Sequence, residues 1–294
     1  MFLSYLPFII LLGKRLNHYI KEGKIRRLKV PIFQYKKIKI NYIDKGKGVP
    51  LVLLMGFGTR MRAWTFQIAY FKKRLRVIAL DNRGTGRSSR PDYPYSMEMF
   101  VKDLEHLLKH LNVNEKVFLC GISMGGMIAQ QFALKHPKKV KGLILIATSA
   151  KADPQDSVES MKIITSLPPE QQLKTRTSLL YSKSFQKRIF KDEQLRRFFL
   201  NGMGKNTTTL QDYRNQAAAL RKHDTREQLK EIPHPSLIIV GSEDIVLPPS
   251  HSKYLGKHLE NSKLIILEGL AHGLIVEAAQ KVNRIVWKFI QNFP

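Results

Sequence analysis

Short apolar runs alternate along this chain with segments whose apolar residues recur every three or four positions. Residues 51–55 (Leu-Val-Leu-Leu-Met), 77–80, 117–120 (Val-Phe-Leu-Cys), 140–147, 237–240 (Leu-Ile-Ile-Val) and 264–267 (Leu-Ile-Ile-Leu) are nearly continuous apolar runs. Runs of this length predict strands buried on both faces, as in a parallel sheet. Between and after them, residues 63–74, 96–111, 124–136 and 274–291 carry helical spacing. Ser96 stands at the start of the second helix with Glu98 nearby, and Pro137 closes the third. Residues 32–44 alternate loosely and predict a strand pair, followed by a turn at Lys45-Gly46-Lys47-Gly48. The pattern breaks from about residue 151 to 231. That stretch is polar and helical, interrupted by Pro168-Pro169 and Gly202-Met203-Gly204, and contains no buried strand.

Strands alternating with helices predict an α/β fold: a mainly parallel central sheet with helices on both faces. Residues 32–150 and 233–294 would form its core, and residues 151–232 a helical cap inserted before the fifth buried strand. Open α/β sheets bind ligands at the carboxyl ends of their strands, so the cap would roof the site. Residues 1–31 read as a separate arm. Its first twelve residues are almost wholly apolar, and Lys14, Arg15, Lys21, Lys24, Arg26 and Arg27 follow. The run is shorter than the ~20 residues that span hydrocarbon, and it lacks the charged start and cleavage site of a secretory signal. A short anchor, an interfacial segment and a helix packed on the domain all fit. Apolar insertion beside a basic stretch makes two membrane signals, which favours attachment to an anionic membrane surface from the cytoplasmic side.

Composition narrows the classes further. With 43% hydrophobic and 25% charged residues in 294, the chain has enough apolar side chains for a sizeable core, and neither disorder nor a polytopic membrane protein fits. Fifty Lys and Arg against 23 Asp and Glu give a net charge of +27. Such a field attracts nucleic acid, anionic lipid or acidic substrates, but lysine spread over a solvated surface accounts for it as well. No RNP, zinc-finger or basic-zipper pattern is present, so no specific nucleic-acid partner is expected. The one cysteine, Cys120, ends an apolar run and is expected to be buried and inert.

Candidate chemistry centres on Gly121-Ile122-Ser123-Met124-Gly125, which fits G-x-S-x-G. The motif lies between an apolar strand and a helix, as a nucleophile elbow requires; a serine capping an ordinary helix would also fit the five residues alone. A serine hydroxyl needs a base oriented by a carboxylate. Gly241-Ser242-Glu243-Asp244 follows the fifth apolar run, and Glu268-Gly269-Leu270-Ala271-His272-Gly273 follows the sixth. Asp244, or Glu243, is thus a candidate acid, and His272 the candidate base, both at strand ends. His251 and His258 lie in a polar helical stretch and are expected to face solvent. His106 and His110 have metal-ligand spacing, but no carboxylate motif completes a site, so they are expected at the surface. An oxyanion would be held by the backbone N–H of Met124 and by that of Phe57, in the Gly56-Phe57-Gly58 loop after the first buried strand.

These features together resemble the α/β-hydrolase superfamily over residues 32–293. Gly121-Ile122-Ser123-Met124-Gly125-Gly126-Met127-Ile128-Ala129 is similar to the elbow of its enol-lactonase, cofactor-free haloperoxidase and carboxylesterase branch. Asp81-Asn82-Arg83-Gly84-Thr85-Gly86-Arg87-Ser88 resembles the family's D-x-R-G-x-G-x-S turn, in which Asp81 and Arg83 would be structural. Gly241-Ser242-Glu243-Asp244-Ile245-Val246-Leu247-Pro248 resembles its acid loop and favours Asp244, and Ala271-His272-Gly273 resembles its histidine loop. Many members have His-Gly before the oxyanion donor where this chain has Met55-Gly56, which removes a side chain that often orders the loop. The resemblance implies a serine hydrolase that cleaves a carboxylic ester, or related acyl bond, of a small or lipid-like substrate through an acyl-enzyme, without metal or organic cofactor. Lactone, thioester and carbon–carbon bond hydrolysis are alternatives on the same triad. A non-catalytic protein binding an anionic membrane surface is the alternative of another class.

Overall fold

The computed structural model of the chain describes residues 31–152, 157–202 and 208–293. Its strands are β1 (Ile32–Tyr35), β2 (Ile38–Lys45), β3 (Pro50–Leu54), β4 (Arg76–Leu80), β5 (Val117–Ile122), β6 (Val140–Ile146), β7 (Ser236–Gly241) and β8 (Ser262–Leu267). They form one sheet in the order β1-β2-β4-β3-β5-β6-β7-β8. The pairs β1–β2 and β2–β4 are antiparallel and the other five are parallel. Helices α1 (Thr65–Phe71), α2 (Met97–His110) and α3 (Met124–Lys135) connect the strands from β3 to β6. Between β6 and β7 the chain forms α4 (Ser157–Ser166), α5 (Pro169–Leu180), α6 (Lys183–Lys191), α7 (Glu193–Gly202) and α8 (Leu210–Arg221). Then α9 (Pro249–His258) precedes β8, and α10 (Leu274–Glu277) and α11 (Ala279–Gln291) follow it.

The apolar runs do what their composition predicts. Every residue of β3, β5 and β7 is buried, because side chains alternate between two cores. Val52, Leu54, Leu119 and Leu143 point to a core shared with α2 and α3. Leu51, Leu53, Phe118, Cys120 and Ile144 point to the other, with Trp64, Phe71, Val282 and Val286. Burial pushes the Cys120 thiol up, so it stays protonated. At the sheet edge β8 is only half-buried. Ser96 caps α2 by accepting from the Met99 N–H at 3.3 Å. The last helical segment is broken at Ala278, whose φ of −124° is non-helical. Gln67 Nε2 takes the Ile275 carbonyl at 2.8 Å and Asn283 Oδ1 at 3.1 Å, so α1 satisfies an acceptor that the break frees.

Two buried polar arrangements fix the frame. Asp81, at the end of β4, accepts from Asn41 Nδ2 at 2.6 Å, the Met61 N–H at 2.8 Å and the Arg87 N–H at 3.2 Å. Arg83 forms a two-pronged pair with Asp103 of α2, both contacts at 2.7 Å, and the Tyr35 hydroxyl donates to Asp103 from β1. Burial draws the Arg83 pKa down, but the hydrogen bonds and charge of Asp103 more than offset it and leave it raised. Neither His106 nor His110 stands free: their rings stack on Tyr35 and Phe33, with centroids 4.1 and 4.3 Å apart. His251 and His258 are half-buried, and His258 stacks on Tyr254.

The helices between β6 and β7 leave and rejoin the sheet at one point. The Thr225 N–H donates to the Ala150 carbonyl at 2.8 Å, and Thr225 Oγ1 donates to Gln130 Oε1 of α3 at 2.7 Å. Just before this junction His223 is almost fully buried, and burial pushes its imidazole down to about 4 from an ordinary 6.5. Among the described residues no helix is long and apolar enough to cross a membrane. The apolar and basic arm expected at residues 1–31 lies, apart from Pro31, outside the described residues.

Asp103→Ala should strand the Arg83 guanidinium in the interior and cost about 3–5 kcal/mol in urea unfolding; a loss below ~1 kcal/mol would mean the pair holds little. His223 yields a pH prediction. Above pH ~6.5 the ring is neutral folded and unfolded, so its contribution is constant. As pH falls towards 4, only the unfolded chain binds the proton, so stability falls. Between pH 7.5 and 4.5, wild type should lose about 2–3 kcal/mol more than His223→Gln. Parallel losses in the two proteins would refute a buried neutral His223.

Candidate active site

The strand order reverses between β3 and β5: the chain runs from β3 outward to β4, then returns to the other side of β3. At such a switch point the loops leave in opposite directions and open a crevice at the strands' carboxyl ends. Ser123 follows β5 there, and Gly56 and Phe57 follow β3. A side chain placed on Gly56 would meet Ser123 Cβ at 3.1 Å and Ser123 Oγ at 3.6 Å, so the two loops face each other directly.

Ser123 has φ 54° and ψ −124°, a conformation that L-residues rarely adopt. Its backbone is pinned on both sides. Its N–H donates to the Ile146 carbonyl at 3.0 Å. Its own carbonyl accepts from the Gly126 N–H at 2.9 Å, the Met127 N–H at 3.3 Å and Thr148 Oγ1 at 2.7 Å. Close approach of α3 to β3 requires Gly125, where a Cβ would fall 2.1 Å from the Leu54 carbonyl oxygen. The serine side chain is half-buried at the N-terminus of α3. As the first residue of that helix, Met124 has an N–H with no intrahelical acceptor. The Phe57 N–H likewise has no backbone partner among the described residues. Each of the two loops thus carries one N–H without a backbone partner.

Asp244 and His272 are both buried and joined by a 2.8 Å contact between Asp244 Oδ2 and His272 Nδ1. A carboxylate accepts, so this contact suits a proton on Nδ1 and leaves Nε2 outside the pair. Asp244 Oδ1 accepts from the Val246 and Leu247 N–H groups, each at 2.9 Å. Glu243, its neighbour in sequence, is exposed. The acid and histidine loops pack tightly, and the Glu243 N–H donates to the Leu270 carbonyl at 2.9 Å. Among the described residues no hydrogen bond joins Ser123 Oγ to His272 Nε2; without ligand such bonds are often long and tighten when substrate binds. No cluster of three or more His, Cys, Asp or Glu that could hold a metal occurs among the described residues.

The helical segment reaches the site from two sides, through residues that no motif signalled. From α5, the Leu180 carbonyl accepts from the Gly273 N–H at 2.6 Å, beside His272. The Tyr181 ring lies where a Gly273 side chain would be. Ser182 donates to Glu277 through its hydroxyl, and its N–H reaches the same carboxylate at 3.3 Å. From α8, Gln216 Oε1 accepts from the Gly58 N–H at 2.8 Å. Thr148 and Gln216 are polar residues in segments that read as ordinary loop and helix, so sequence carried no signal for either.

Residues 49–279 match a family model described as the alpha/beta hydrolase fold. The chain is 30% identical over 277 residues to 3-oxoadipate enol-lactonase 2 of Acinetobacter baylyi, covering 90% of this chain and 100% of that protein. It is 26% identical over 281 residues to monoacylglycerol lipase abhd6-B of Xenopus laevis, covering 90% and 83%. Among solved structures it is similar to MGS-M2, an alpha/beta hydrolase enzyme from a Medee basin deep-sea metagenome library. That match has a TM-score of 0.79 at 25% identity and covers 89% of this chain and 97% of that one. The chain belongs to the alpha/beta hydrolase family, and as a member it is a hydrolase.

The strained elbow is testable through stability alone. Glycine adopts the Ser123 conformation without penalty, whereas alanine retains a strain of about 1–3 kcal/mol. Allowing for glycine's extra freedom in the unfolded chain, Ser123→Gly should be more stable than Ser123→Ala by about 1 kcal/mol in urea unfolding. The reverse order would mean that the backbone at Ser123 is relaxed.

Proposed function

We propose that this protein is a serine hydrolase that cleaves a carboxylic ester through an acyl-enzyme. The observation that carries this is the buried hydrogen bond between His272 Nδ1 and Asp244 Oδ2 at 2.8 Å, formed on strand ends of the same sheet edge as Ser123. It orients the imidazole and leaves Nε2 outside the pair. In the proposed reaction, His272 Nε2 takes the Ser123 proton as Oγ attacks the acyl carbon. The carbonyl π electrons move onto oxygen, and the Phe57 and Met124 N–H groups stabilise that oxyanion. Asp244 stabilises the imidazolium. Collapse of the intermediate expels the alcohol, which takes the proton from His272. Water activated by His272 then attacks the acyl-enzyme and releases the acid, restoring Ser123.

A lactone is a second reading, favoured by the 30% identity to an enol-lactonase. A lactone is a cyclic ester, so the same steps open it and the leaving alcohol stays attached to the acid. The pocket and the helices over it, rather than the triad, decide between linear and cyclic substrates.

A fluorophosphonate probe should label wild type, and Ser123→Ala should abolish labelling and turnover. Asp244→Asn should keep the labelling site but lower kcat by roughly 10³- to 10⁴-fold, because the histidine loses its orienting acceptor. A matched panel of short p-nitrophenyl esters and lactones separates the two readings. Equal labelling of Ser123→Ala would refute the assignment. No labelling or turnover of either substrate set would favour a non-catalytic protein.

A further inference from the structure

We propose that Gln216 is a positioning residue for the oxyanion hole, acting through the backbone of the loop that follows β3. This rests on the serine-hydrolase reading above and adds a residue on α8 to its machinery.

The loop over residues 56–59 is tied down peptide by peptide. The Gly56 carbonyl accepts from the Thr59 N–H at 3.2 Å, and the Phe57 carbonyl accepts from Thr59 Oγ1 at 3.1 Å. These bonds lie within the loop and shape it without placing it. What places it comes from outside: the Gly58 N–H donates to Gln216 Oε1 at 2.8 Å, and the Gly58 carbonyl accepts from Thr208 Oγ1 at 2.7 Å. The Tyr213 ring, three residues before Gln216 on the same helix, packs on Phe57 at a centroid distance of 5.2 Å. It also fills the space beside Gly58, where a Cβ would fall 2.0 Å from the ring.

Gln216 is fully buried and uses both ends of its amide. Its Nε2 donates to the Arg83 carbonyl at 2.9 Å. A backbone N–H on one side and a backbone carbonyl on the other leave only one orientation of the amide. Arg83 is held by its buried pair with Asp103, so Gln216 is a strut from a rigid turn to the oxyanion loop. Met55, just before Gly56, supplies no polar side chain to order the loop. The Met55 carbonyl is held by Asn82 Nδ2 at 3.0 Å, and the loop beyond it is held by Gln216 of α8 and by Thr208, just before that helix. Oxyanion donors work because they are fixed before charge develops. A loop released from Gln216 would keep its donors but lose their alignment.

The test compares wild type with Gln216→Met, which keeps side-chain length and volume but makes neither bond. A second variant, Gln216→Ala, also makes neither bond but sets no side chain against the Gly58 N–H and the Arg83 carbonyl. Asn215→Ala is the control: Asn215 is adjacent on α8 but bonds Pro91 and Asp92, away from the oxyanion loop. For Gln216→Met we expect kcat on a short ester to fall roughly 10- to 100-fold, short of the loss on removing a donor outright. KM should change little, and affinity for a trifluoromethyl ketone, which forms a tetrahedral oxyanion on serine, should weaken in proportion to kcat/KM. Gln216→Ala should fall at least as far, and Asn215→Ala should stay near wild type. Loss of kcat without loss of ketone affinity would overturn the proposal, since only loop alignment links the two. So would an equal loss in Asn215→Ala, or an unchanged Gln216→Met. If Gln216→Met does not fold, Gln216→Ala decides on the same readouts: kcat and ketone affinity equal to those of Asn215→Ala overturn the proposal, and a parallel fall in both supports it. Wild type inert to both ester and ketone would overturn the hydrolase reading and this inference with it.

Discussion

Ser123 is held with a left-handed φ, and much of the surrounding structure can be understood as what holds it there. Its carbonyl gathers three hydrogen bonds, from two backbone amides of α3 and from Thr148 at the end of β6. Its N–H reaches across to Ile146. The strain is sustained because β5 and β6 are locked in a fully buried parallel sheet and α3 is pressed against β3 at a glycine. The residue stands at the strand ends where strand order reverses, facing the loop that follows β3. The conformation also leaves the first N–H of α3 unpaired beside it. One constraint therefore fixes both the serine backbone and the first N–H of the helix that follows it.

The helices inserted between β6 and β7 contribute more than a roof. They hold the loop that carries His272 through Leu180 and the loop that follows β3 through Gln216. Their two ends meet beside Gln130, on the helix that follows Ser123. Contacts of this kind couple the position of the insertion to the geometry of loops on either side of the crevice. A fold in which the sheet alone fixed every loop would tolerate any insertion; here the loops are placed partly by it.

The strand runs, the helices around the sheet and the α/β class were legible in the sequence, because burial on both faces of a parallel strand demands an unbroken apolar run. The elbow was legible for a similar reason: a tight strand-to-helix turn needs small residues at fixed offsets from the serine. The final helix read as one piece because its apolar spacing continues through Ala278. Its break is compensated by Gln67, 208 residues away. His106 and His110 read as surface residues, and only the packing of β1 on α2 made them stacking partners.

The sequence by itself determined what local physics controls: which segments must be buried, where the chain must turn sharply, and which residue types lie at the strand ends. Spacing alone left Glu243 and Asp244 both open, and only resemblance favoured the second. Tertiary structure separated them by burying Asp244 against His272 and two backbone amides while leaving Glu243 in solvent. Gln216 lay beyond local physics altogether. Its partners are 133 and 158 residues away, and a glutamine in a polar helix has no pattern until folding brings an unpaired N–H and an unpaired carbonyl to its two ends.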